Sequence, residues 1–177
     1  MKRKLIWAFA LLLAVSLNAP AQERMERGEQ HDTLNFFVGE WETLDNVMPS
    51  PMGAGGKTEC KAAFKWMLGD FWLAHKFTGE IPDFGPYEGL GLTTYDAVAG
   101  NYVTYWFGST QSIVGEYRGD WVDDKSLVLD GSSDMQGTTY YERLTWVKVS
   151  DNELRFIIEM STDGQNYSKT MESTYKR

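Results

Sequence analysis

The sequence predicts an all-β protein: one up-and-down antiparallel β-barrel of about ten strands, preceded by a short helical turn. Three observations carry this. Long stretches alternate apolar and polar residues with a period of two, as strands with one wet face do. Turn-forming residues interrupt these stretches at close intervals. Aromatic residues make up 14% of the 177-residue chain, with seven Trp, nine Tyr and nine Phe, a composition suited to strands around a large interior.

The elements follow in order. Asp32 to Val38 reads as a helical or turn-like lead-in with Leu34, Phe37 and Val38 as its apolar contacts. Trp41 to Leu44 is the first strand. In the second, Thr58, Cys60, Ala62, Phe64 and Trp66 alternate with charged or small residues. Phe71-Leu73-His75-Phe77 marks the third. Glu88 to Tyr95, Tyr102 to Phe107, Ile113 to Trp121, Ser126 to Leu129 and Thr138 to Val149 come next. Leu154-Phe156-Ile158-Met160 and Ser168 to Tyr175 close the series.

Turns are expected at Leu68-Gly69-Asp70, Ala99-Gly100-Asn101, Asp130-Gly131-Ser132, Ser150-Asp151-Asn152 and Asp163-Gly164-Gln165. Hairpins this tight make a meander, and closure is how a long meander loses its exposed edges. The irregular stretch from Val47 to Gly56, rich in Pro and Gly, is read either as a lid over the barrel mouth or as an ordinary connection.

The first 21 residues read as a secretory signal peptide. Lys2-Arg3-Lys4 precedes an apolar run from Leu5 to Leu17, and Ala19-Pro20-Ala21 supplies small residues for cleavage after Ala21. The run is about half a membrane span, so no stable membrane anchor is expected. The organisation is therefore 1–21 signal peptide, 22–33 N-terminal extension and 34–177 barrel, exported to the periplasm or the medium. Cleavage takes three of the 17 basic residues and none of the 25 acids, moving the net charge from -8 to -11. So acidic a surface repels phosphate backbones, and no nucleic acid is expected as a partner. Cys60 is the lone cysteine and forms no internal disulfide, so stability rests on the core.

Phe37-Val38-Gly39-Glu40-Trp41 contains the Gly-x-Trp pattern found on the first strand of lipocalins and related calycins. Further along stand Met67-Leu68-Gly69, Tyr87-Glu88-Gly89-Leu90-Gly91, Tyr95-Asp96, Tyr102, Trp106, Ser109-Thr110 and Asp163-Gly164. The chain closes on Met171-Glu172-Ser173-Thr174-Tyr175-Lys176-Arg177. In this order the sequence resembles the bacterial domain-of-unknown-function 1579 family from about Leu34 onward. The resemblance implies a calycin-like barrel and carries no activity or ligand. It departs from the family pattern at Asp70 and Gly108. It also implies structural roles for Gly39, Trp41 and Arg177, with Trp41 packed under Arg177 or Lys176 at the closed end, a cation–π contact worth about 0.5–2 kcal/mol.

The chemistry-bearing motifs are few. Gly53-Ala54-Gly55-Gly56-Lys57-Thr58 imitates a phosphate loop, but a strand pattern follows it where a helix is required. No zinc-ligand spacing and no Gly-x-Ser-x-Gly occurs, so no metal, cofactor or catalytic residue is assigned. Asp120, Asp123, Asp124, Asp130 and Asp134 read as turn and surface residues, and His31 as a solvated one.

His75 shares a strand face with Phe71, Leu73 and Phe77. Turned inward, it is a core histidine, a ligand contact or a haem ligand. Haem-binding calycins carry their histidine near the C-terminus, where this chain has none. Glu142 and Arg143 face opposite sides of one strand, and the period does not decide which is inward; an inward Arg143 would hold a ligand carboxylate. A Cys60–His75 catalytic pair requires the strands to set the two side by side.

The preferred reading is an exported, non-enzymatic barrel that binds a small apolar or amphipathic molecule. Phe64, Trp66, Phe77, Phe156 and Ile158 are the expected apolar contacts, and Thr58, His75 and Arg143 the polar ones. A filled barrel acting through its surface in the cell envelope is the first alternative. An enzyme using His75 and a carboxylate is the second.

Overall fold

The computed structural model describes residues 27–50, 53–135 and 137–177, and the side chain of Met135 is not described. The expected signal peptide lies outside these residues. Ten strands follow in sequence: β1 (Gly39–Val47), β2 (Gly56–Met67), β3 (Trp72–Ile81), β4 (Gly85–Asp96), β5 (Asn101–Gly108), β6 (Gly115–Trp121), β7 (Ser126–Met135), β8 (Thr138–Ser150), β9 (Glu153–Ser161) and β10 (Ser168–Lys176). Each pairs antiparallel with its sequence neighbour, and β1 pairs with β10, so the sheet closes on itself. Closure leaves no strand edge unpaired. A helix α1 (Glu29–Asp32) and a 3-10 turn (Asn35–Phe37) precede the first strand.

The strictly alternating topology sorts the connections to two ends. Residues 48–50 and 53–55 and the segments 82–84, 109–114 and 162–167 gather at one end, here the mouth, and the chain enters β1 at the other, the base. The lead-in plugs that base: Leu34 and Phe37 are buried in the main apolar core with Trp41, Phe64, Trp146 and Tyr175.

His31 is buried as well, which corrects the expectation of a solvated residue. Its Nε2 lies 3.2 Å from the Thr94 hydroxyl and its ring meets Phe71 edge-on at 5.6 Å. The cause is the docking of α1 across the base, which carries residues of the N-terminal extension into the fold.

The chain end locks the same end of the barrel. The Arg177 guanidinium sits 4.3 Å from the centre of the Trp41 ring and donates to the carbonyls of Val38 at 2.8 Å and Asp151 at 2.6 Å. Lys176 turns instead toward Glu153, 3.8 Å away. Gly39 has φ 137°, and a Cβ there would stand 3.2 Å from the Arg177 guanidinium. That accounts for the glycine two residues before Trp41.

One local expectation changes. Asp130-Gly131-Ser132 does not turn; it runs through the middle of β7, with Gly131 opposite Tyr117 on one side and Glu142 on the other. Of the two readings of segment 47–56, its described part favours the ordinary connection. It leans on the β3–β4 connection, where the Gly55 amide donates to Asp83 at 2.8 Å, and it takes no part in lining the interior. Nor does Gly53–Thr58 lead into a helix: it runs into β2.

Candidate ligand cavity

The barrel is hollow. A cavity of about 720 Å³ occupies it from the plug to the mouth. Its floor is Leu34 and Phe37, and Phe64, Phe77, Trp106, Trp146, Phe156 and Tyr175 contribute ring surface to its wall. Ile81, Phe84, Ile113, Val114 and Met171 also line it, and Phe84, Ile113 and Val114 are among the exposed hydrophobic residues.

A glycine-made row builds the deep wall. Register places Phe64 opposite His75, His75 opposite Gly91, and Gly91 opposite Trp106. The missing side chain at Gly91 leaves room for the indole: a Cβ there would stand 3.1 Å from Trp106 and 3.3 Å from His75. At Gly89, one residue pair further along, a Cβ would meet the indole at 2.2 Å. The Trp106 N–H is held by the Tyr87 hydroxyl at 2.8 Å.

Into this row His75 is stacked almost parallel on Phe64, 4.1 Å between centres, with Trp106 at 5.3 Å and Trp146 at 5.6 Å. The imidazole is 7% exposed, and its Nε2 is buried without a hydrogen-bond partner. Burial lowers its pKa to about 3, so the ring is neutral at ordinary pH. A neutral imidazole surrounded by rings is a polar point on an apolar wall.

A second row, nearer the mouth, uses the same device. Tyr117 and Glu142 flank Gly131 across neighbouring strands, and a Cβ at Gly131 would stand 2.6 Å from the Tyr117 ring. Across that gap the Tyr117 hydroxyl donates to the Glu142 carboxyl at 2.7 Å. Ser133 donates to the other oxygen at 3.2 Å. Burial, then the neighbouring Glu142, pushes the Tyr117 phenol far above its usual range, so it stays a donor.

The expected site residues divide. Phe64, His75, Phe77, Phe156 and Ile158 line the cavity together. Thr58, Trp66 and Arg143 do not. Thr58 shares the inward parity of Phe64 but spends its hydroxyl on the Glu80 carbonyl at 2.7 Å and does not line the cavity. Trp66 belongs to the plug, where its N–H donates to Asn35 at 2.8 Å and Arg27 covers its face. Arg143 is on the outer surface, paired with Asp130 at 2.8 Å and stacked on Tyr167. The face that the sequence left open is thereby decided: strand parity puts Glu142, Leu144 and Trp146 inside, all three line the cavity, and Arg143 is not among its contacts.

Cys60 is buried, but register sets it some four residues along β2 from Phe64, the partner of His75, so the two are not side by side. Among the described residues no group of His, Cys, Asp and Glu is arranged to hold a metal.

Sequence reasoning did not find Tyr117 or Asp45. For Tyr117 the signal was present. Gly115, Tyr117 and Gly119 share one face of β6, whereas Glu116, Arg118 and Asp120 share the other, and so complete a segregation marks the inward side. Asp45 is fully buried at the inward parity of Trp41 and Thr43, whereas Leu44 is 48% exposed. Its Oδ2 accepts the Thr43 hydroxyl at 2.6 Å, but its Oδ1 and the hydroxyl of its cross-strand neighbour Ser173 are buried and unpartnered. This polar pair belongs to the barrel wall and is not part of the cavity lining.

Among solved structures, Rv2717c from M. tuberculosis is 13% identical, with a TM-score of 0.62 over 86% of this chain and 99% of that one. The likeness is one of fold. A redesigned β-barrel, b11L5F_LGL, is 15% identical with a TM-score of 0.44, over 82% of this chain and 94% of that one. EF1p2_mFAP2b, solved bound to DFHBI, is 13% identical with a TM-score of 0.45, over 84% and 98%. No curated protein matches the sequence. A family model described as "Protein of unknown function (DUF1579)" matches residues 26–177.

Proposed function

The chain belongs to that DUF1579 family, and we propose that it is an exported, non-enzymatic binding protein whose barrel interior takes a small apolar or amphipathic molecule. One observation carries the reading: the cavity of about 720 Å³, walled mostly by aromatic and aliphatic side chains. Ligand pockets run from roughly 300 to 1,000 Å³ and pair an apolar lining with a few placed polar groups. His75 and the Tyr117–Glu142–Ser133 cluster are those groups here.

Apolar surface around an interior this large gains by covering it with a guest, at about 25 cal/mol per Å² removed from water. A barrel acting only through its outer surface has no use for the void and loses the packing it forgoes. The export part of the reading rests on the basic start, the apolar run and Ala19-Pro20-Ala21.

Native mass spectrometry after gentle purification tests the binding: a mass above that of the bare chain is expected, and the extracted molecule should raise the melting temperature when added back. A bare mass, with no melting shift against a panel of lipids and metabolites, contradicts it. N-terminal sequencing of the exported protein tests the address, with Gln22 expected as the first residue.

A further inference from the structure

We infer that the cavity is selective for amphiphiles whose head group is an amine, and that it discriminates against carboxylate-headed chains such as fatty acids. This rests on the binding reading above and names the ligand class for the same cavity.

The charges on the lining decide the matter. Two acids line the cavity, Glu142 and Asp134, and no Lys or Arg is among the described residues that line it. The base adjacent to Glu142, Arg143, is outside the wall and committed to Asp130. A guest carboxylate in the cavity would therefore meet like charge with no cation to receive it, and the part-buried position of Glu142 makes that repulsion stronger than in open water.

An amine meets the opposite situation. The Glu142 carboxyl accepts two hydrogen bonds, from Tyr117 and Ser133, and carboxylate oxygens have roughly four lone-pair sites between them. It retains capacity for a guest N–H. Because Tyr117 remains protonated, the cluster presents a net acceptor and no competing cation.

The second polar point, the unpartnered Nε2 of His75, is deeper, in the ring-lined part of the same cavity. Held neutral by burial, it adds no positive charge that would welcome an anion. The apolar body of the guest thus lies against the rings around His75 and its head beside Glu142, toward the mouth.

The experiment is a titration of the purified protein with decylamine, decanol and decanoate, each below its micelle concentration. It is read by the fluorescence of the cavity-lining Trp106 and Trp146 at near-neutral pH and about 0.15 M salt, where charges more than about 8 Å away are screened. Decylamine is expected to bind at least tenfold more tightly than decanoate, with decanol between. Glu142→Gln is expected to bring amine and alcohol within about threefold of each other.

Decanoate binding as tightly as decylamine overturns this inference and leaves the binding reading standing. Failure of all three to perturb the fluorescence overturns the binding reading as well. The ranking by the unaltered protein decides the question even if the variant does not fold. A Glu142→Gln protein that folds and keeps the full amine preference also overturns the assignment of that preference to Glu142.

Discussion

Glu142 and Arg143 are consecutive on β8 and lie on opposite sides of the barrel wall. Glu142 receives hydrogen bonds from Tyr117 and Ser133 inside, and Arg143 binds Asp130 and covers Tyr167 outside. The choice follows from their neighbours. Leu144 and Trp146 are the core residues of β8, and only Glu142 shares their parity with a donor, Tyr117, within reach.

Arg143 is accordingly a surface residue in its energetics. Arg143→Gln is expected to cost less than about 1 kcal/mol in urea denaturation, because half-exposed ion pairs contribute little. It should leave the binding of any cavity ligand unchanged. A tenfold loss of affinity in this variant would show that the side chain reaches the guest.

His75 should make stability pH-dependent in a defined window. The unfolded imidazole takes up a proton below its ordinary value of 6.5, whereas burial keeps the folded one neutral to about pH 3. Stability that is full above pH 6.5 is therefore lost as pH falls from 6.5 toward 3, by up to ~1.4 kcal/mol per pH unit. Burial lowers His31 too, so its contribution has the same sign. Carboxyls held low by their partners, Asp163 and Glu172 among them, lose their contribution only at more acid pH. Urea midpoints between pH 6.5 and 5 thus isolate the imidazoles, and His75→Gln should flatten the slope there. An unchanged slope contradicts the buried, neutral ring.

The wall pair of Asp45 and Ser173 makes opposite predictions for two small changes. Thr43→Val removes the hydroxyl that donates to Asp45 and should cost about 1–3 kcal/mol, the price of a buried acceptor left unmade. Ser173→Ala removes a hydroxyl that is buried and unpartnered already, and should lie within about 1 kcal/mol of neutral. Chemical denaturation of both variants checks the contrast, and equal losses would show that Ser173 holds a partner.

Cys60 is expected to be inert. Burial first, and Asp45 second, raise its thiol to about 11, so little thiolate exists at pH 8. Ellman's reagent should leave the folded protein unreacted over minutes and titrate one thiol in denaturant. Rapid reaction of the folded chain would mean that the β2 wall opens.

The fold was legible because period-two alternation and tight turns are local properties: β2, β3 and β9 carried the alternation plainly, and turn residues marked off most of the others. Its one misplaced turn is instructive. Asp130-Gly131-Ser132 has turn chemistry, but the glycine serves a strand position over which the Tyr117 ring passes to reach Glu142. Whether a glycine turns the chain or clears space for a neighbour depends on cross-strand register, which no local pattern contains. The same limit explains the site. The rings at Phe64, Phe77 and Phe156 were readable from parity, but Trp106 was not, because Tyr105 and Phe107 put aromatics on both faces of β5. Nor does parity show what an inward side chain touches: Thr58 gives its hydroxyl to the Glu80 carbonyl, and Trp66 packs on the plug beside Asn35.

Crystals of the unliganded protein exposed to pressurised xenon test the hollow interior most directly, since xenon enters dry apolar cavities and gives strong density. Xenon sites are expected within contact of Leu127, Leu129, Phe77 and Trp106, inside the closed wall. An interior without xenon, packed shut by these same side chains, would contradict the account at its base.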